Sequence, residues 1–80
     1  MKRYIVNQRI RKWLNISGRE LAERVGVTKQ TISLYELGKS YHKPTERVIE
    51  WELDAAIEQC DDPLTKEFCE HLKLKRTEEP

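Results

Sequence analysis

Thr28, Lys29, Gln30, Thr31, Ser33 and Leu34 crowd into one short stretch, and their types suit the edges of nucleic-acid bases. A glutamine amide bonds adenine at two points, a lysine ammonium donates to guanine, and a threonine offers a hydroxyl with a thymine-sized methyl contact. Leu34 fits either a thymine methyl or packing against the following helix, and helical spacing allows both. Chemistry of bond making is poorly represented. His42 and His71 lie far apart, no serine sits in a nucleophile elbow, and no glycine-rich phosphate loop is present, so no enzyme is expected.

Side chains read bases only if a rigid element presents them, and the flanking residues describe one. Ser17-Gly18-Arg19-Glu20 reads as a capping box: Ser17 accepts from the third amide and Glu20 reaches back to the Ser17 amide. A short helix then runs to about Val25, with Leu21, Ala22 and Val25 inward. Gly26 ends it where a left-handed residue is needed. Val27 anchors the turn, Thr28 caps the next helix, and Ile32 and Tyr35 are its core candidates. Gly38 stops that helix near Leu37. Two short helices joined by a tight glycine turn form a helix-turn-helix, which leaves the outer N-terminal face of the second helix free for a major groove.

The rest of the chain reads as all-α, with five helices. A first helix over about 3–14 places Val6, Ile10, Trp13 and Leu14 on one face. Pro44 opens a fourth, which runs to about Cys60 with Ile49, Leu53, Ala56, Ile57 and Cys60 as its stripe. Asp62 and Pro63 start a fifth, in which Leu64, Phe68 and Leu72 recur every four residues. The tail KLKRTEEP is expected to fray. Residues 1–60 form the expected core unit. Residues 61–80 add a helix and tail to the same domain, as a candidate dimerisation element, because Trp51, Leu64, Phe68 and Leu72 exceed what one small core buries.

The chain has 80 residues, 38% hydrophobic and 36% charged, with a net charge of +1. That near-neutral total hides an asymmetry. Residues 1–43 hold ten basic and three acidic residues, a net of +7; residues 44–80 hold five and eleven, a net of −6. A polyanion partner for the first half fits this split, while ordinary solvated helix faces are the plainer account. The acidic half is expected on the side away from DNA. No run has the length of a membrane span, and MKRYIVNQRIRKW lacks an apolar signal segment, so a cytoplasmic location is expected. Cys60 and Cys69 read as partly buried free thiols, with a disulfide as the alternative. With His71 they make three poorly spaced ligands where zinc needs four, so no metal or cofactor is expected.

ISGRELAERVGVTKQTISLYELGKS resembles the helix-turn-helix of the XRE family, of the Cro and phage-repressor type, over roughly residues 4–57. The resemblance is carried by Leu21-Ala22, Gly26-Val27, Thr28 with Thr31-Ile32, Glu36 with Gly38, and Pro44. It implies a five-helix phage-repressor-like domain with the motif at its second and third helices. It also implies sequence-specific binding of double-stranded DNA, transcriptional regulation (repression above all), and a homodimer on a palindromic operator. An antitoxin-like module gripping another protein through its C-terminal helices is the alternative. The resemblance further pairs Arg11 with Glu36 as a structural salt bridge. Many relatives carry glutamine where Gly18 stands, so the side-chain brace on phosphate is lost. The helix N-terminus at Ser17, Gly18 and Arg19 retains backbone amides for a phosphate. Lys39, Ser40, Tyr41 and Lys43 join Arg19 as expected phosphate clamps. His42, Arg24 and Lys12 fit either further clamps or solvated side chains.

Overall fold

In the computed structural model, which describes residues 1–76, the chain folds as five helices with no strand among those residues. They are α1 (Arg3–Trp13), α2 (Gly18–Val25), α3 (Lys29–Glu36), α4 (Lys43–Glu58) and α5 (Pro63–Lys73). No described helix is long and apolar enough to cross a membrane.

Local chemistry sets the boundaries. Asn15 adopts a left-handed φ of 59° and closes α1, its amide bonded to the Lys12 carbonyl and that of Ile16 to the Arg11 carbonyl. Asparagine tolerates this region because its short polar side chain bonds locally. Asp62 precedes α5 with Pro63 at the helix start, and the Thr65 hydroxyl donates to its carboxylate at 2.5 Å. That bond holds the Asp62 carboxyl below its usual range. α4 begins one residue before Pro44, with His42 as its cap residue and its Nδ1 2.7 Å from Thr45 Oγ1.

The core is one cluster. Val6 and Ile10 of α1, Leu21 and Ala22 of α2, Ile32 and Tyr35 of α3, and Ile49, Leu53 and Ile57 of α4 are all buried. Each large aliphatic side chain sealed in this way contributes roughly 1.5–3 kcal/mol. Of the four side chains expected to exceed the core, only Leu72, on α5, turns inward. α5 packs on α1 and α4. Its buried residues are Cys69 and Leu72, whereas Leu64 is 77% exposed and Phe68 is 40% exposed. The i, i+4 spacing was a true helical face. The surface of α1 decides which face turns inward: the Phe68 ring stacks on Trp13 at 4.4 Å, outside the core proper. Both cysteines are free thiols, Cys69 buried and Cys60 half-buried.

The tail departs from the expected fraying as far as Arg76. Its side chain is only 9% exposed and bonds Asn7 of α1 and Glu50 and Asp54 of α4. The remaining TEEP lies outside the described residues.

Candidate nucleic-acid interface

The two motif helices are joined as their capping residues require. Ser17 Oγ accepts from the Glu20 amide at 3.0 Å. Glu20 does not complete a reciprocal box; its carboxylate turns forward to Arg24 Nη2 at 2.7 Å, where an opposite charge one turn on attracts it. Gly26 has φ 89°, and the amides of Gly26 and Val27 both reach the Ala22 carbonyl, at 2.8 and 3.0 Å. Ala22 is small and 2% exposed, so the two helices approach closely there. Thr28 then caps α3: its Oγ1 accepts from the Thr31 amide at 3.1 Å and lies 2.9 Å from Thr31 Oγ1.

Burial of Ile32 and Tyr35 settles which side of α3 faces outward. Thr28, Lys29, Gln30 and Ser33 are exposed, and Thr31 and Leu34 are half-buried. The side chains of Lys29, Gln30 and Ser33 make no hydrogen bond or ion pair with other described residues, which leaves their donors and acceptors available. Sequence reasoning missed Leu37. It is 63% exposed at the end of α3 and continues the row Gln30, Ser33, Leu34 by helical spacing, a signal already present in the periodicity.

The expected clamp residues lie at the start of α2, in the loop after α3 and at the start of α4. Gly18 opens α2, and a methyl group added there would meet nothing within 4 Å, so its backbone borders open space. Arg19 is exposed, with only a 3.9 Å approach to Glu23. Lys39, Ser40 and Tyr41 form an exposed loop, and exposed Lys43 starts α4. Gly38 launches this loop with φ 74°; a Cβ there would sit 2.7 Å from Cζ of Tyr4, so the loop passes directly over that ring. Arg24 is engaged with Glu20. Lys12 is exposed.

Arg11 ties the motif to α1. Its Nε and Nη2 donate to the two Glu36 carboxylate oxygens at 2.7 and 3.0 Å, and its Nη1 donates to the Ile16 carbonyl at 2.7 Å. One guanidinium therefore fixes both the turn before α2 and the last residue of α3. The planar donor fork matches carboxylate geometry in a way an ammonium would not.

A second polar network was not visible in the sequence. Tyr35 donates to Glu46 at 2.5 Å and accepts from Asn7 Nδ2 at 2.9 Å. The same Asn7 amide donates to Glu50 at 3.0 Å, and its oxygen accepts from Arg76 Nε at 2.8 Å. Arg76 Nη1 reaches Asp54 at 3.0 Å. Burial, reinforced by the Glu46 bond, pushes the Tyr35 hydroxyl well above its ordinary pKa and keeps it a donor. Three carboxylates of the acidic half are thus held by internal partners. Among the rest, Glu58, Asp61, Asp62, Glu67 and Glu70 are exposed along the C-terminal part of the chain.

A family model described as helix-turn-helix matches residues 8–50, which span the whole of α2 and α3 with parts of α1 and α4. No curated protein and no solved structure matches the chain. The matched segment is more than half of the sequence and coincides with the capped, glycine-hinged helix pair, so the chain belongs to the XRE-type helix-turn-helix family, a family of DNA-binding domains and not of enzymes.

Proposed function

We propose that the protein is a sequence-specific transcriptional regulator, a repressor, that sets the N-terminal half of α3 in the DNA major groove. The observation that carries this reading is the outward row of unengaged polar side chains, Lys29, Gln30 and Ser33, on a helix whose other side is sealed by Ile32 and Tyr35. A major groove admits one helix, and these side chains are the types that discriminate base edges. Thr28, Thr31 and Leu34 complete the reading set. The amides and side chains at Ser17, Gly18 and Arg19, with Lys39, Ser40, Tyr41 and Lys43, hold phosphates and set register without reading sequence.

The operator is palindromic and is read by a homodimer, with half-sites about one helical turn apart. Support comes from apolar side chains that the single chain leaves uncovered: Trp51 is 76% exposed and Leu64 is 77% exposed. The same exposure favours a second reading, a module that grips a different protein through α4 and α5.

Selection of bound duplexes from a random pool tests the proposal. It predicts one enriched site with two-fold symmetry, and binding to random duplex that falls steeply with salt. Absence of enrichment together with a flat salt dependence would favour the protein-interaction module.

A further inference from the structure

We infer that the outer face of α4 is the seam along which two copies of this chain pair, with the helices antiparallel and the two-fold axis passing near Trp51. The inference deepens the proposed homodimer by giving it a surface, and it rests on that reading only for the operator symmetry.

α4 carries two apolar stripes. One, through Ile49, Leu53 and Ile57, is buried in the core. The other, through Pro44, Val48, Trp51 and Ala55, points away from it. Its members recur at alternating spacings of four and three, the repeat that lets two helices lie side by side over several turns. A monomer has no use for this second stripe, yet Val48 is 42% and Trp51 76% exposed. Burying an indole removes some of the largest apolar area a single side chain offers.

The charges beside the stripe name the occupant. Arg47 is exposed at the N-terminal end, and Glu58 is exposed at the C-terminal end. At a rise of about 1.5 Å per residue, Arg47 stands roughly 6 Å to one side of Trp51 and Glu58 roughly 10 Å to the other. In a parallel pair the two-fold axis runs along the helices and carries this edge of the stripe to the far side of the contact, so Arg47 and the partner's Glu58 do not meet. An antiparallel pair brings each Arg47 to the acidic end of its partner, twice by symmetry. A surface complementary to itself under a two-fold rotation is the mark of an isologous contact. A second exposed apolar patch, of Leu64 with Phe68 and Trp13, lies on α5 and α1, and pairing through it is the alternative that Leu64→Glu tests.

The test is the oligomeric state of the full chain in sedimentation equilibrium without DNA. We expect a dimer whose dissociation constant rises at least about 30-fold in Trp51→Glu, the scale of a central aromatic anchor. Arg47→Glu is expected to weaken pairing about tenfold through like-charge contact, and Arg47→Glu combined with Glu58→Arg to restore it. Leu64→Glu leaves the dissociation constant unchanged. Each variant changes an exposed residue, and far-UV circular dichroism verifies its helices. A wild-type chain monomeric at about 1 mM, an unaffected Trp51→Glu dimer, or dissociation by Leu64→Glu would each overturn the inference. Binding to a single half-site duplex separates the two proposals: monomeric Trp51→Glu retains it if the DNA reading is right. A dimer that binds no duplex would sink that reading and leave the seam standing.

Discussion

Replacing Arg11 by methionine keeps the helical propensity and much of the aliphatic volume of the side chain while deleting its charge. The Glu36 side chain, 9% exposed, then keeps only a long 3.4 Å contact from Gln8, and the Ile16 carbonyl loses its side-chain donor. Stranding one member of a buried pair costs about 3–5 kcal/mol, and the residual 12% exposure of the Arg11 side chain puts this case near the lower end. A chain of this size has a total stability of roughly 4–12 kcal/mol, so the loss is a large share of it. At about 4–8 °C per kcal/mol, the melting temperature should fall by about 12–24 °C. Urea unfolding followed by circular dichroism reads the effect. Arg11→Met combined with Glu36→Leu should recover most of the loss, because no charge is then stranded. Arg24→Ala, which breaks the exposed Glu20 pair, should cost no more than about 0.5 kcal/mol and lose that effect in 1 M salt. A loss below about 1 kcal/mol for Arg11→Met, or strict additivity in the double variant, would refute the claim that this pair locks the motif to α1.

Gly38→Ala should destabilise the fold by about 2–3 kcal/mol, since it combines a left-handed backbone with a collision against the Tyr4 ring; Gly18→Ala, with open space around it, should stay within about 0.5 kcal/mol of wild type by the same unfolding assay. Tyr35→Phe removes the donor to buried Glu46 and should cost about 1–3 kcal/mol at neutral pH. The folded pKa of Tyr35 lies above its ordinary 10.0, so its contribution is complete below that pH and is lost as pH rises toward the folded value. The stability gap between wild type and Tyr35→Phe should therefore be constant up to about pH 10 and narrow above it; a gap that widens there would contradict the assignment. Lys39→Ala should weaken binding to all duplexes alike and lower the salt slope by about one, and an unchanged slope would remove Lys39 from the phosphate contacts.

The motif was legible because its determinants are local. Ser17, Gly26, Thr28 and Gly38 act on backbone groups within a few residues, and each can be recognised from its neighbours alone. The face of α5 was legible only in part, because Leu64-Phe68-Leu72 and Cys69-Leu72 both satisfy a helical period, and only the α1 surface turns Leu72 inward while Leu64 and Phe68 stay out. The network of Asn7, Tyr35, Glu46, Glu50 and Arg76 was hidden for a stronger reason. Arg76 and Asn7 are 69 positions apart, and a polar residue at a core position reads as surface until its partners are known. Glu46 shows the consequence: counted by sequence among charges that would repel DNA, it is 7% exposed and bonded to Tyr35. Charge asymmetry along a chain is thus an imperfect map of charge on the surface, since part of the acidic half is consumed inside.

The central claim is that the outward edge of α3 reads bases, and the specificity profile of Gln30→Ala tests it most directly. Binding of wild type and variant to a complete set of single-base-pair substitutions of the selected operator gives that profile. The account predicts a loss of about 1–3 kcal/mol on the selected site, with preference relaxed at one base pair per half-site and retained elsewhere. An equal loss at every position, or no loss at all, would contradict it.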